Sequence, residues 1–319
     1  MKAFDVVALG ELLVDFTENG ISAQGNPMLE ANPGGAPCNV LSMLQNLGKR
    51  TAFIGKVGAD AFGQMLMQAV KNQGINTDNL VTDNTVHTTL AFVHTDKDGD
   101  RSFSFYRNPG ADMMLRWNEV HEDVLADTKV FHFGTLSMTD EQIEKVTKKA
   151  VEKAKSEGAL ISFDPNLRPP LWKNLEDAKR HMWYGISQCD ILKISDDEIA
   201  FLTGNDDIDG GVEAILKQSQ PKLVCATMGK NGSKAFYNGK GVFCEPFLRN
   251  DTIETTGAGD TFMACVLNAV LEKGLEALSE KDLFEMLRFA NAAASLVTTR
   301  KGALRVMPRC EEITALIGD

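Results

Sequence analysis

Nothing in the 319 residues forms a dense basic run, and 33 Lys and Arg against 44 Asp and Glu leave a net charge of -11. A chain of this balance has no electrostatic footprint for a phosphate backbone, so nucleic acid is not expected as a partner. No two cysteines form a CxxC pair: Cys38, Cys189, Cys225, Cys244, Cys265 and Cys310 lie far apart, mostly inside apolar runs. That spacing points to reduced thiols and a cytoplasmic setting. Long apolar stretches are missing too. The amino-terminal MKAFDVVALGELLVDF is interrupted by Glu11 and Asp15, so it is neither a signal peptide nor a membrane span and is expected to be a first buried strand. Internal repeats, low-complexity tracts and long linkers are absent as well.

Short β-type runs alternate with helical ones along the chain. FDVVALG, RTAFIGKV, KVFHFGTL, ALISFDP, DILKIS and KLVCATM are separated by patterned helices, which is the signature of a parallel sheet. One such helix, TDEQIEKVTKKAVEKAKSEG, puts Ile143, Val146, Ala150, Val151 and Ala154 on one face and is expected to stop at Gly158. Residues 86–108 break the rhythm: apolar and polar residues alternate about a DKDGD turn, as in a hairpin with one wet face. With LLVDFT near residue 14, this predicts one α/β domain over 1–319 carrying a small β lid built from about residues 12–33 and 86–112.

The segment ETTGAGDTF (254–262) sets three small residues before an aspartate and an apolar helix. Phe262, Cys265, Val266, Ala269 and Val270 share one helical face and Gly274 ends it, so Gly257, Ala258 and Gly259 fall at a helix N-terminus. Backbone N–H groups there lack partners and the peptide dipoles favour an anion. A carboxylate at Asp260 would repel that anion unless it serves the chemistry by taking a proton from an attacking hydroxyl. The string therefore points to phosphoryl transfer to an alcohol, while a plain tight turn with a helix cap accounts for GxGD equally well on its own. The phosphate donor is not held in a familiar cradle: GxxxxGK[ST] is absent, and GELLVD stands where a dinucleotide GxGxxG would follow the first strand.

Two long strings, GGAPCNVLSMLQNLGKRTAFIGKVGADAFG (34–63) and ETTGAGDTF, resemble the signatures of the ribokinase-type, or PfkB, sugar kinases. FYRNPGADMML (105–115), DPNLRPPLW (164–172) and ILKISDDEIAFLTG (191–204) are similar to the fructokinase branch, and together the strings span most of the chain. The resemblance implies a three-layer α/β/α fold with a mostly parallel sheet and a β lid. It implies an ATP- and Mg²⁺-dependent kinase, most simply one that phosphorylates D-fructose at its 6-hydroxyl. Ribose, 2-keto-3-deoxygluconate or a riboside stand as other acceptors, and a non-catalytic sugar sensor as another class on the same fold.

The resemblance also assigns roles. Asp260 is implied as general base, and Gly257, Ala258 and Gly259 as the anion hole. Asp15, Gly34, Gly35 and Asn39 match sugar-contacting positions, although Asp15 alone reads as a solvated strand residue and Asn39 as a helix cap. Arg107 is a candidate for the sugar, against a solvated surface arginine. Arg168, at the carboxyl end of a strand, could neutralise ATP phosphates or pair with Asp164. Thr227 and Gly229, with Gly232 in the same turn, match positions that flank the ATP phosphates, against a simple hairpin turn. Asn291 matches an adenine-side position, against helix core. Glu198 matches a glutamate that acts on magnesium through water, but Ser195 stands where asparagine is usual, and Asp197 either shares that role or starts a helix. Glu254 occupies the place of an aspartate beside a potassium ion, which leaves K⁺ dependence open, and Cys38 replaces a common alanine. Closing the lid over bound sugar would keep water from the phosphoryl group, and its exposed hairpin could pair two copies into a homodimer.

Overall fold

The computed structural model describes residues 2–95 and 101–318; the DKDGD turn at 96–100 lies outside the described residues. Within them the strands are β1 (Phe4–Leu9), β2 (Leu13–Ile21), β3 (Pro27–Gly34), β4 (Thr51–Gly58), β5 (Asn76–Asp83), β6 (Leu90–Thr95), β7 (Arg101–Tyr106), β8 (Thr128–Gly134), β9 (Leu160–Asp164), β10 (Ile191–Ser195), β11 (Leu223–Thr227), β12 (Ser233–Tyr237) and β13 (Lys240–Cys244). They form a nine-stranded sheet in the order β13-β12-β11-β10-β9-β8-β1-β4-β5 and a four-stranded sheet in the order β3-β2-β6-β7. The large sheet is parallel from β5 to β11, and β12 and β13 extend it antiparallel.

Strand β1 explains why this sheet is covered on both sides. Val6 and Ala8 belong to one apolar cluster and Val7 and Leu9 to the other, all fully buried. A strand sandwiched between helices has to be apolar at successive positions, and this produces the uninterrupted VVAL run. The helix Glu141–Ser156 supplies one cover: Asp140 caps it by accepting from the Gln142 N–H, and Ile143, Val146, Ala150, Val151 and Ala154 are buried. The chain then turns at Gly158, whose φ of 78° is left-handed, as expected for the residue that ends a helix.

In the small sheet, β2 is antiparallel to β3 and parallel to β6, and β6 pairs antiparallel with β7, the hairpin expected from the alternation. Period-two geometry then divides β2 between two tasks. Phe16 stacks on Phe92 at 5.0 Å and meets Phe62 of the helix Ala61–Asn72 edge-on at 5.6 Å. Leu13, Asp15 and Thr17 line a cavity instead. The strand order turns back where β1 lies beside β8, and ligands of open α/β sheets collect outside strand carboxyl ends near such a point. Glu11 after β1 and Asn166 and Arg168 after β9 reach the same cavity as Asp15.

Candidate active site

The small residues before Asp260 start a helix, Ala258–Lys273, with Gly257 as its N-cap and Gly274 at its end. Gly257 has φ 79°, and a Cβ there would lie 2.6 Å from the Ala303 Cβ, so the position requires glycine twice over. The Ala258 N–H donates to the Thr255 carbonyl at 3.2 Å, so that amide is already used. The amides of Gly257, Gly259 and Asp260 have no protein acceptor among the described residues. Unpartnered donors at the positive end of a helix form an anion site.

Asp260 does not cap its own helix. Its Oδ2 accepts from the Asn39 Nδ2 at 2.8 Å, and its Oδ1 accepts a longer contact from the Asn166 Nδ2 at 3.5 Å. Burial pushes its pKa above the ordinary value; the Asn39 hydrogen bond and the charges of Lys193 and Arg168 pull it partly back. Asn39 lies inside the helix Ala36–Asn46, whose N-cap is Gly35, so its amide serves Asp260 and caps nothing. The Asn39 Oδ1 is buried with no partner among the described residues.

Two cavities meet at this helix start. The first, about 470 Å³, is lined by Glu11, Asp15, Asn39, Arg168, Glu254 and Asp260 among others. Burial lifts Asp15 to about 7, against the opposing charge of Arg168 and with help from Glu254 and Asp260. Gly34 lets Asp15 into position, since a Cβ there would lie 2.2 Å from its Oδ2, and a Cβ at Gly35 would lie 2.4 Å from the Glu11 carbonyl. Burial also lifts Glu11 to about 7, although its Oε1 accepts from the Ala36 N–H at 2.8 Å. Such an acid-rich, partly desolvated pocket suits a polyhydroxylated ligand that can donate many hydrogen bonds.

The second cavity, about 410 Å³, is lined by Thr227, Gly229, Gly232, Phe247, Ala258 and Asn291 among others. Thr255 and Gly259 belong to both cavities. Gly229 and Gly232 have φ of 51° and 91°, and a Cβ at Gly232 would lie 2.4 Å from the Cys244 carbonyl. Asn291 lines the slot, but its polar atoms serve the protein: Oδ1 accepts from the Ser233 hydroxyl at 2.9 Å, and Nδ2 donates to the Glu245 carbonyl at 3.0 Å. It braces the slot wall.

The remaining expected residues divide between the first cavity and the surrounding protein. Arg107 is buried and does not line the first cavity; it pairs with Asp112 at 2.7 Å and donates to Thr139 and the Leu136 carbonyl. Arg168 lines the first cavity with Asp15 and Asp260, and Asp164 pairs with Lys193 instead of with it. Glu198 accepts from the Leu167 N–H at 2.8 Å and the Ser195 N–H at 2.9 Å, and Ser195 caps the helix Asp196–Thr203 in return. Asp197 is exposed in that helix's first turn. The Glu254 Oε1 accepts from the Gly302 N–H at 2.8 Å, and Cys38 is fully buried.

Residues 3–310 match the family model described as pfkB family carbohydrate kinase. The chain belongs to that family. This pfkB-family kinase is 40% identical over 314 residues to probable fructokinase-4 of Arabidopsis thaliana, covering 98% of the chain and 96% of the relative. It is similar to the crystal structure of a fructokinase with bound ATP from Xylella fastidiosa, with TM-score 0.89 and 31% identity over 98% of each chain. It is also similar to a fructokinase of Vibrio cholerae O395 bound to fructose, ADP and calcium ion, with TM-score 0.88 and 28% identity, covering 98% of this chain and 99% of that one. The match confirms the ribokinase-like fold and the carbohydrate kinase class expected from the motifs.

Some parts of this kinase's site escape the sequence reading. Glu11 served only to interrupt an apolar run, yet it lines the cavity beside Asp15. Asn166, held at φ 46° between Asp164 and Arg168, reaches Asp260. Lys193, inside the strand ILKIS, is only 5% exposed. A lysine is almost never fully buried unless paired, so its presence in a buried strand was the available signal.

Proposed function

We propose that this kinase transfers the γ-phosphoryl group of ATP to the 6-hydroxyl of D-fructose. The observation that carries the reading is the meeting of two cavities at Gly259 and Thr255, with Asp260 on the acid-rich side and the Ala258–Lys273 helix start between them. Sugar in the first cavity and nucleotide in the second would bring an attacking hydroxyl and a phosphoryl group together at the shared wall. The fructokinase names of its relatives, and the fructose and ADP in the Vibrio cholerae structure, support the same pairing.

Asp260 would accept the hydroxyl proton as the oxygen attacks, and a buried carboxylate with a raised pKa is a better base than an exposed one. The free amides of Gly257 and Gly259 would meet the charge that develops on the phosphoryl oxygens, already oriented by the helix. Arg168 would add positive charge from the sugar side. The unpartnered Asn39 Oδ1, with Asp15, would accept sugar hydroxyls and hold the reacting one in line. The small sheet, which brings Asp15 and Thr17 over the cavity, would close on the sugar and exclude water.

Mg²⁺, when bound with the nucleotide, neutralises phosphate charge. No group of three His, Cys, Asp or Glu among the described residues could hold a bare metal ion, and the Glu198 oxygens already accept two amides. That arrangement fits a hydrated Mg²⁺ carried on phosphates, with Glu198 reached through water. A potassium ion would lie beside Glu254, and exchange of Na⁺ for K⁺ in the assay reads that part of the proposal. We extend the reading to a homodimer through the small sheet, where Ile21 is 66% and Tyr106 67% exposed. No helix among the described residues is long and apolar enough to cross a membrane.

A coupled assay with ATP and D-fructose, D-ribose, 2-keto-3-deoxygluconate and a riboside tests the function. Selective turnover of fructose is expected. Selective turnover of another sugar reassigns the substrate, and binding without turnover of any would make the protein a sensor.

A further inference from the structure

Beneath the anion site lies a cation that the proposed mechanism leaves unused. Lys193 comes from β10, and its Nζ lies 3.0 Å from Asp164 Oδ2 and 3.2 Å from Oδ1. A Cβ added to Gly259 would lie 3.0 Å from the same Nζ, so the first turn of the Ala258–Lys273 helix rests its backbone almost on the ammonium. An ammonium has three donors, and Asp164 is the one side chain it pairs with among the described residues. Asp164 is also linked to the base: its Oδ1 accepts from the Asn166 N–H at 3.2 Å, and the Asn166 side chain reaches Asp260.

Stability does not explain this arrangement. A buried ion pair can usually be replaced by uncharged groups of similar volume with little loss, because desolvation offsets the attraction. The placement of the charge explains it better. Asp260 faces the cations Lys193 and Arg168, the carboxyls Asp15 and Asp164, and the neutral amides of Asn39 and Asn166. Burial alone would drive its proton on. Lys193 keeps its own charge despite burial, because Asp164, Glu198 and Asp260 surround it. Burial first, and the nearby Lys193 charge second, push the pKa of the buried His132 down to about 3.

Building on the kinase reading, we propose that Lys193 is a positioning residue: its buried ammonium, set between Asp164 and Gly259, is the fixed positive charge against which the Asp260 carboxylate and the incoming phosphoryl oxygens are held. Gly259 is glycine so that the helix start can approach that charge.

The test compares wild type, Lys193→Met and the double variant Lys193→Met/Asp164→Asn. The double variant removes both members of the buried ion pair, so Asp164 is not stranded without its partner and a folding defect is kept apart from charge placement. In Lys193→Met we expect kcat to fall at least about tenfold, KM for fructose to stay within about threefold, and the acid limb of kcat/KM to move up by about half a pH unit or more, with a smaller shift in the double variant, where loss of the Asp164 charge offsets part of the effect. The ¹³C carboxyl resonance of Asp260, assigned by its loss in Asp260→Asn, should titrate higher by a similar amount, and this readout needs no turnover. An unmoved Asp260 titration with kcat within about twofold of wild type would overturn the proposal. Failure of wild type to phosphorylate any sugar would overturn the kinase reading, while the resonance still decides the role of Lys193.

Discussion

The Asn39 Nδ2 donates to Asp260 Oδ2 across 2.8 Å, and the two residues stand 221 positions apart. This bond joins the helix Ala36–Asn46 to the helix Ala258–Lys273, and it leaves the Asn39 Oδ1 without a partner among the described residues. A hydrogen bond to a charged acceptor contributes about 1.5–3 kcal/mol, which opposes the burial that raises the pKa of Asp260.

Removal of that donor should therefore be visible in the pH profile. Asp260 has to be ionised to act as a base, so activity rises as pH climbs through its pKa. In Asn39→Ala the stabilising donor is gone, and the acid limb of kcat/KM should move up by about one pH unit. KM for the sugar should rise as well, because the free acceptor is lost with it.

Gly257 and Gly274 bound the same helix with positive φ of 79° and 84°, but their ψ of -3° and 133° differ, so only Gly257 is left-handed. A side chain at Gly274 meets nothing within 4 Å, so Gly274→Ala should cost only backbone strain, about 1–3 kcal/mol of stability, and leave turnover unchanged. Gly257→Ala meets Ala303 at 2.6 Å and displaces the anion site, and Gly257→Val should do so more severely. We expect loss of nucleotide affinity and of kcat together, measured by titration calorimetry and steady-state kinetics.

Glu11 carries a stability prediction with a definite sign. Burial raises its pKa from the ordinary 4.5 to about 7, with the Ala36 N–H opposing. The folded protein thus binds this proton more tightly than the unfolded chain, and stability falls as pH rises from 4.5 through 7. Glu11→Gln keeps an acceptor for Ala36 and removes the titration. Its advantage in denaturant unfolding should be near zero at about pH 4.5 and grow toward at most about 3 kcal/mol above about pH 8.

Much of the fold was legible because its signals are local. The VVAL run needs only burial on both faces, and the helix after GAGD needs only the period of Phe262, Cys265, Val266, Ala269 and Val270. The β alternation on either side of residues 96–100 likewise announced the hairpin. The site was legible where a motif carries its own geometry, as at Gly257 with its left-handed φ. It was not legible where function depends on pairing across the sheet. Nothing in ILKIS states that Lys193 meets Asp164, and nothing in FYRN states that Arg107 turns inward to Asp112. Asn291 shows the same limit, since only the folded chain brings Ser233 and the Glu245 carbonyl to its amide.

The most direct test of Asp260 as the base is the Asp260→Asn variant, with turnover and binding measured on the same preparation. Asparagine keeps the shape and still pairs with Asn39 after an amide flip, but it cannot take a proton. We predict a fall in kcat of on the order of 10²–10⁴, with affinities for fructose and a nucleotide analogue within about threefold of wild type. Turnover close to wild type in that variant would contradict the account.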